Sequence, residues 1–295
     1  WSVARSVVQR STHPGLPELD YSVDRLATLT WNFSQAVSEH NVDLGELDGH
    51  TEQIQALTEL PLGGRGAAYE REMAAIVGSQ SLLPILVQLV REFTAEKRAR
   101  GLVEYSDQVR LALEVTKRAP DVVDQMRDRY KVVLLDEYQD TSVLQTELLS
   151  QLFSNHPVMS VGDPHQAIYG WRGASAANLA DFHRSFATDY PQQSFELQVS
   201  WRNPRVVLDA ANTVAHPLRN DQHDVGVLRP KPDAPDGVLD VIFEETVDDE
   251  AAAVAEWFAQ KMDSPAEPPS AALLVRSRKH QTRFANALTA RGIPV

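Results

Sequence analysis

The sequence has no cysteine among its 295 residues, and this absence removes several classes of protein. Disulfide frameworks, thiolate metal sites and thiol-dependent catalysis all need cysteine, and a chain without it is typical of a reducing cytosol. Long hydrophobic runs are also missing, since no apolar stretch approaches the roughly 18 residues that a membrane-spanning helix needs. We therefore expect a cytoplasmic protein that makes no contact with a membrane.

An excess of positive charge is missing as well. The chain has 28 Lys and Arg against 41 Asp and Glu, a net charge of −13, and no third of it is basic. Proteins that hold nucleic acid by bulk electrostatic attraction usually carry basic surfaces. Any contact with nucleic acid must therefore use a few local groups.

What is present is ordinary for a globular protein, with 43% hydrophobic and 23% charged residues. A length of 295 residues is typical of two domains, or of one domain with a large insertion. The chain opens at Trp1 without an initiator methionine or a signal-peptide pattern. We expect it to be a segment of a longer protein.

The first 120 residues are predicted to be mainly helical. Apolar residues recur every three or four positions from Val23 to Val37 and from Leu82 to Arg100. The connector from Pro61 to Gly66 is rich in glycine and is predicted to be a loop.

A dense basic cluster lies at the end of the second of these predicted helices. It consists of Lys97, Arg98 and Arg100. We interpret it as a solvated helix face in preference to a DNA contact.

The pattern changes after Pro120 to short apolar runs that alternate with helical segments. The runs from Val132 to Leu135 and from Val158 to Val161 are typical of strands buried on both faces, as in a parallel sheet. Further strands are predicted at 195–199, 238–243 and 271–275, and helices at 143–153, 205–215, 248–262 and 280–291. This alternation predicts an α/β fold with a parallel sheet.

Two acidic residues follow the first of these strands directly. Ligands of open α/β sheets bind at the carboxyl ends of the strands, where Asp136 and Glu137 are expected to lie. Four apolar residues followed by Asp-Glu is the pattern of a Walker B strand, in which Asp binds Mg²⁺ and Glu polarises a water. Taken alone the pattern is weak, because a surface Asp-Glu pair at a strand end is common.

Three longer blocks make the interpretation specific. They run from Asp136 to Thr141, from Val161 to Ala174 and from Val199 to Pro204. In order, spacing and unusual residues they resemble motifs II, III and IV of superfamily 1 DNA helicases of the UvrD/PcrA/RecB type. Residues 103–107 resemble the aromatic–acidic segment that precedes motif II in that family.

The resemblance implies a fold and a division into domains. It implies parts of two RecA-like parallel sheets of a P-loop helicase, with a mainly helical insertion domain. Residues 1–120 would be the helical insertion of the first motor domain, and residues 121–188 the part of that domain with motifs II and III. Residues 189–295 would be the first part of the second motor domain.

The resemblance also implies a nucleotide site for ATP and Mg²⁺. Asp136 would bind the metal, Glu137 would activate water for attack on the γ-phosphate, and Gln166 would sense that phosphate. Arg202 would reach the nucleotide from the second motor domain. Its guanidinium is permanently charged and therefore suits phosphate. Trp201 stands where the family more often has Tyr, and would stack on the adenine. The alternatives are that Gln166 is a turn amide and that Trp201 is a core residue.

A separate group is predicted to bind single-stranded DNA. Tyr169, Trp171 and Arg172 lie within four residues in a glycine-rich turn. Stacking of an aromatic ring on a base contributes about 1–3 kcal/mol to binding and shows no sequence preference. An Arg can in addition bind a backbone phosphate. In the family the motif III Trp stacks on a DNA base. The alternative is that Trp171 packs under the turn.

One part of a helicase motor is missing from the sequence. None of the 14 glycines is followed by Lys, so the chain has no Gly-Lys-Ser/Thr loop to cradle phosphates. The late Arg-containing motifs of the family are also absent. We therefore expect a segment of an ATP-dependent 3′-to-5′ helicase of DNA repair or recombination that is inactive as an isolated chain. The alternatives are a degenerate helicase-like module for DNA binding or assembly, and a nuclease.

The block sequences look most like those of actinobacterial helicases, including the subunits of the AdnA/AdnB helicase–nuclease. That resemblance implies a partner subunit, and DNA substrates that are single strands or junctions of single and double strands. The alternative is a generic UvrD-type repair helicase.

Overall fold

A computed structural model describes most of the chain and divides it into two compact units. The first unit comprises Trp1–Leu197 with Ala215–Gly226, and the second comprises Gln198–Val214 with Val227–Val295. The residues described are 1–50, 53, 56, 72, 75–78, 80, 82–220, 225–262 and 270–295. The connector predicted from Pro61 to Gly66 lies outside them.

The amino-terminal part of the first unit is helical, as its sequence periodicity predicts. Three of its helices bury their apolar faces against one another, in a cluster that includes Leu26, Leu89 and Phe93. The N-cap Ser22 accepts a hydrogen bond from the backbone N–H of Arg25 and fixes where the second helix begins. The helices are α1 (Ser2–Arg10), α2 (Val23–Glu39), α3 (Leu44–Asp48), α4 (Leu83–Ala99), α5 (Tyr105–Arg118) and α6 (Pro120–Arg129).

One residue of the basic cluster is buried, so the prediction of a solvated face is wrong for Lys97. Only 5% of Lys97 is exposed, and its ammonium donates to Glu104 and, at 2.8 Å, to Asp107. Glu104 and Asp107 form the capping box that begins α5, so the acceptors are held in place by the helix start. Arg98 and Arg100 are exposed.

A parallel pair of strands follows in the first unit. Strand β1 (Val133–Leu135) pairs with β2 (Val158–Ser160), with Val133 opposite Val158. The crossover between them contains helix α7 (Val143–Phe153), which begins at a capping box of Ser142 and Gln145. Two short helices come after β2, α8 (Ala176–Ala180) and α9 (Phe182–Ser185).

The expectation that both strands are buried on both faces is wrong. Val133, Leu135 and Val158 pack against a cluster built on Tyr138, Leu152 and Phe153. The opposite face is open, since 67% of Leu134 and 51% of Met159 are exposed. The reason is geometric: alternate residues of a strand point to opposite faces, and the helices of this unit cover one of them.

The residues described beyond position 197 form a second small parallel pair of strands and three α-helices. Strand β3 pairs with β4 through Val199 opposite Arg229, and helices α11 and α12 enclose a cluster that includes Phe258 and Leu288. The elements are β3 (Val199–Ser200), α10 (Arg205–Ala215), β4 (Arg229–Pro230), α11 (Val247–Met262) and α12 (Arg278–Ala290).

The other predicted strands of this part are not formed. Of the segment 195–199 only Val199 lies in a strand, and 238–243 and 271–275 are irregular. Val241, Phe243 and Leu274 are 87%, 94% and 92% exposed. A strand is held by a neighbouring strand that satisfies its backbone, and no strand pairs with 238–243 or 271–275 within the part of the chain that the structure describes.

Over the residues described, the architecture is therefore mixed, mainly helical, with two small parallel sheets. The domain limits at residues 120 and 188 stay a prediction. None of the helices described is both long and apolar enough to cross a membrane.

Candidate nucleotide and single-strand site

The two strands of the first unit bring their carboxyl ends together. The N–H of Val161 donates to the carbonyl of Leu135 at 2.8 Å, and the N–H of Tyr138 donates to the carbonyl of Val161 at 3.0 Å. The ladder thus continues past both strand ends. Asp136 and Glu137 therefore lie at the same edge as the loop that begins at Gly162.

Glu137 has a backbone conformation that is unusual for its residue type. Its φ of 50° and ψ of 39° fall in the left-handed region, which costs a residue other than glycine about 1–3 kcal/mol. Its N–H donates to Asp136 Oδ1 at 3.0 Å. The 3-10 turn Tyr138–Asp140 follows at once, so the chain reverses here and leaves both carboxylates exposed.

The donor set at this edge suits a magnesium ion of the kind that nucleotide sites use. Mg²⁺ in such sites takes one or two carboxylates and completes its shell with water and phosphate oxygens. Asp136 offers an exposed carboxylate with an oxygen left over from its bond to Glu137. Among the residues described, no group of three or more metal-ligating side chains is present.

A row of hydrogen bonds connects Glu137 to Gln166. The amide of Gln139 donates from Nε2 to Glu137 Oε2 at 2.7 Å and accepts at Oε1 from the N–H of Asp163 at 3.1 Å. Asp163 Oδ2 in turn accepts from Gln166 Nε2 at 2.9 Å. We call these four residues, Glu137, Gln139, Asp163 and Gln166, the polar relay.

The next turn exposes the aromatic group, which consists of Tyr169, Trp171 and Arg172. Trp171 is 72% exposed and Tyr169 is 37% exposed, so Trp171 does not pack under the turn. The two ring centroids are 6.3 Å apart, and Arg172 Cζ lies 4.6 Å from the centroid of Trp171. The rings and the guanidinium thus form one surface that is both apolar and cationic.

The turn that carries the aromatic group rests on the end of helix α2. Gly173 has a φ of +74°, and a Cβ there would lie 2.7 Å from Cβ of Glu39, so glycine is required for both reasons. Burial raises the pKa of Glu39, against the opposing charges of His40 and Arg172. The helical part of the first unit therefore supports the turn directly.

In the second unit Trp201 and Arg202 are exposed on a turn that precedes α10. Trp201 is 73% exposed, so it is not a core residue. The start of α10, directly after this turn, is fixed by two hydrogen bonds, from the N–H groups of Arg205 and Val206 to the carbonyls of Pro235 and Asp236 at 3.0 and 3.1 Å.

The structure therefore brings Asp136, Glu137 and Gln166 to one edge and places the aromatic group on the following turn. Asp163 orients its own loop, because its side chain accepts hydrogen bonds from the N–H of His165 and from Gln166 Nε2. Sequence reasoning missed Gln139, which is 1% exposed. The available signal was a polar amide inside the block from Asp136 to Thr141.

Comparison with known proteins finds a matching family model for the middle of the chain. Residues 63–187 match the model of the UvrD/REP helicase N-terminal domain. This range contains the polar relay and the aromatic group.

Similar proteins include two kinds of bacterial helicase. A subunit of the ATP-dependent helicase/nuclease of Lactococcus lactis subsp. lactis (strain IL1403) is 26% identical over 74% of this chain and 20% of its own length. The "ATP-dependent DNA helicase PcrA" of Leuconostoc citreum is 34% identical over 44% of this chain and 17% of its own length. That of Staphylococcus aureus (strain Mu50) is 34% identical over 38% and 15%.

The chain spans about a fifth of the length of these relatives. The matched range includes the blocks at Asp136 to Thr141 and at Val161 to Ala174, which carry the resemblance seen in the sequence. Residues 63–187 are thus similar to the UvrD/REP helicase N-terminal domain, in agreement with the resemblance of the sequence blocks to superfamily 1 helicases of the UvrD/PcrA type.

Proposed function

We propose that this chain is a segment of an ATP-dependent DNA helicase that moves 3′ to 5′ on single strands in DNA repair or recombination. The observation that carries the proposal is the polar relay, which joins a water-activating carboxylate to the loop that leads into the aromatic group. The names of the similar proteins, PcrA and a helicase/nuclease subunit, support the same function. A RecA-like motor fold with a helical insertion is part of the proposal.

The proposed nucleotide chemistry follows from the residues at the strand ends. Asp136 would hold Mg²⁺, which supplies neutralisation of phosphate charge when bound. Glu137 would orient and polarise the attacking water, as an exposed carboxylate on a fixed turn can do. Gln166 would hydrogen-bond the γ-phosphate, and its bond to Asp163 keeps its amide oriented for that contact.

Trp201 and Arg202 would serve the same nucleotide. The exposed indole of Trp201 offers a face to adenine, and Arg202 offers two or more N–H donors to phosphate oxygens. Both belong to the second unit, on the turn that leads into α10, and backbone hydrogen bonds fix the start of that helix.

The aromatic group would bind single-stranded DNA, or the single strand at a junction. An exposed Tyr–Trp pair with an adjoining guanidinium suits stacking on bases combined with one phosphate contact. This mode of binding needs no basic surface, which fits a chain of net charge −13. A partner protein in a helicase/nuclease complex is part of the proposal, by analogy with the relative that is named as one of its subunits.

The chain alone is expected to show no DNA-stimulated ATPase activity. It contains no Gly-Lys pair, and the phosphate loop of helicases depends on that Lys. The measurement is phosphate release with and without single-stranded DNA, with the Glu137→Gln variant of the same chain as the blank. Turnover above that blank would contradict the expectation.

Replacing Trp171 by Ala in the full-length protein is expected to weaken binding of single-stranded DNA. The loss of one stacking ring corresponds to about 1–3 kcal/mol, or roughly 5- to 150-fold in Kd. Fluorescence anisotropy of a labelled oligonucleotide measures this. ATPase activity without DNA should change much less, because Trp171 makes no contact in the polar relay.

A matched control is Tyr190→Ala. Tyr190 is 73% exposed, nearly the same as Trp171, and lies outside the aromatic group. Its replacement should leave the Kd for single-stranded DNA within about twofold. Equal affinity of the Trp171→Ala variant and the unmodified protein would show that the aromatic group is not a DNA site.

A further inference from the structure

Gln139 holds an unusual position in the polar relay. It is 1% exposed, yet both ends of its amide are bonded, Nε2 to Glu137 Oε2 at 2.7 Å and Oε1 to the N–H of Asp163 at 3.1 Å. The first bond reaches a carboxylate at the end of β1, and the second reaches the backbone beyond β2. One side chain thus links the two strand ends through side-chain atoms.

The Gln139 amide suits both of these bonds, because it has a donor and an acceptor at the end of one side chain. A carboxylate would place an oxygen against the oxygen of Glu137, and a hydrocarbon would leave a carboxylate and an N–H without their partner. An amide is also planar and stiff, so its two ends move together. A shift of the Asp163 backbone is therefore passed on to the carboxylate of Glu137.

The residue beside this amide is Gly162, which has no side-chain atoms that could collide with it. A Cβ at Gly162 would lie 2.4 Å from Gln139 Oε1, closer than real contacts allow. The φ of Gly162 is not in the left-handed region, so its backbone does not itself require glycine. The absence of a side chain at Gly162 is explained by the space that the Gln139 amide occupies.

The loop at the far end of the relay is short. Asp163 begins the 3-10 turn Pro164–Gln166, and the aromatic group follows on the turn Gly170–Arg172. Contact of the aromatic group with a DNA strand therefore acts on a backbone segment that starts at the N–H bonded to Gln139. Glu137, at the near end, is in a left-handed conformation that its neighbours must sustain.

We propose that Gln139 is a positioning residue that makes ATP turnover respond to DNA. It holds the carboxylate of Glu137 in a position set by the Asp163 loop, so a strand bound at the aromatic group changes how well Glu137 orients water. This inference rests on the proposed helicase function, in which Glu137 acts on water and the aromatic group on DNA.

The first test is Gln139→Leu in the full-length protein. We expect kcat for ATP to fall, and the ratio of kcat with DNA to kcat without it to fall about tenfold. The KM for ATP and the Kd for single-stranded DNA should stay within about twofold. Tyr138→Phe is the matched control, because it removes a buried hydrogen bond from the same turn, to Thr146 at 3.3 Å, and leaves the relay intact.

The second test is Gln139→Glu. The introduced carboxylate keeps an acceptor for the N–H of Asp163 but places an oxygen against Glu137 Oε2, where Gln139 Nε2 donates at 2.7 Å. The DNA stimulation of kcat should fall as in Gln139→Leu, while the KM for ATP and the Kd for single-stranded DNA stay within about twofold. Retained DNA stimulation in Gln139→Glu would contradict the inference.

The third test is Gly162→Ala, alone and combined with Gln139→Ala. The added methyl should displace the Gln139 amide and reproduce the loss of DNA stimulation. In the Gln139→Ala background the close contact with Oε1 at 2.4 Å is gone, and the nearest atoms are the backbone nitrogens of residues 139 and 138 at 3.2 and 3.4 Å. The further effect of the methyl on the stimulation ratio should therefore be less than twofold. Additive effects of the two substitutions would contradict the relay.

The outcomes separate this inference from the function on which it rests. If Glu137→Gln leaves ATP turnover intact, the proposed function fails. If Glu137→Gln abolishes turnover while the Gln139→Leu and Gly162→Ala variants retain the DNA stimulation of the Tyr138→Phe control, the inference about Gln139 alone is overturned. Loss of stimulation in both variants and in Gln139→Glu, with the KM for ATP and the Kd for single-stranded DNA unchanged, would support it.

Discussion

Glu137→Gln in the full-length protein is expected to lower kcat for ATP hydrolysis by about 10²–10⁴-fold, the contribution typical of a positioned acid or base. The amide cannot accept a proton from the attacking water or polarise it as a carboxylate does. Its carbonyl oxygen can still accept the hydrogen bond from Gln139 Nε2 that Glu137 Oε2 accepts at 2.7 Å. The turn should therefore keep its geometry.

Binding should survive this change. We expect the Kd values for ATP and for single-stranded DNA to stay within about threefold, since Asp136 and the aromatic group are untouched. Single-turnover phosphate release measures the chemical step, and equilibrium titration measures the two affinities. Loss of both affinities together with turnover would mean that Glu137 is a structural residue.

Glu147→Gln provides the matched control. Glu147 lies on α7 and accepts hydrogen bonds from Asn41 and Lys117, with its side chain 36% exposed. The same chemical change there should leave kcat within about twofold. A comparable fall in both variants would point to a general loss of structure.

The second large effect is expected on stability, from Lys97→Met. The side chain of Lys97 is 6% exposed, and its ammonium lies between the carboxylates of Glu104 and Asp107. Removing one partner of a buried ion pair costs about 3–5 kcal/mol, and we expect the lower end because Arg110 lies 3.6 Å from Asp107. Hydrogen exchange of amides in α4 and α5 should accelerate roughly a hundredfold.

The pH dependence of this effect follows from Asp107. Burial alone would raise its pKa, but the hydrogen bonds from Lys97 and from the Glu104 N–H and the charges of Lys97 and Arg110 outweigh burial and hold the pKa below its usual value. A lowered pKa gives stability that is present above the pKa of unfolded Asp, about 3.9, and is lost as the pH falls through the lower folded value. The difference between Lys97→Met and the unmodified protein should therefore be largest near pH 7 and shrink below about pH 4.

Lys117→Met is the control for the ion-pair effect. Lys117 pairs with Glu147 at 2.7 Å, but its side chain is 50% exposed. An exposed pair contributes about 0–1 kcal/mol, so exchange in α5 should change little. Equal acceleration in the two variants would show that burial of the pair is not what matters.

Much of the secondary structure could be predicted because local signals decide it. Helix α7 has the predicted bounds, Val143–Phe153, since its start is set by Ser142 and Gln145 within the same few residues. The burial of Lys97 could not be predicted in this way. Its acceptors belong to the capping box of the next helix, and spacing along α4 contains no information about them.

The candidate site, like the secondary structure, could be predicted from the sequence only in part. The positions of Asp136 and Glu137 after a strand follow from a run of apolar residues, and the pairing of that strand with β2 is parallel as predicted. The open face with Leu134 could not be foreseen, because whether a face is covered depends on other elements. The role of Gln139 could not be predicted for a similar reason, since its second partner, the N–H of Asp163, lies on the loop after the neighbouring strand.

The composition of the aromatic group determines how its affinity for DNA depends on ionic strength. Counterions released by phosphate contacts make affinity fall with salt, with a slope of about −0.7 per neutralised phosphate on a single strand. Trp171 and Tyr169 release none, and Arg172 is the one cation of the group. On the proposed function, the part of the DNA affinity that this turn supplies persists at salt concentrations that would detach a protein bound through a basic surface.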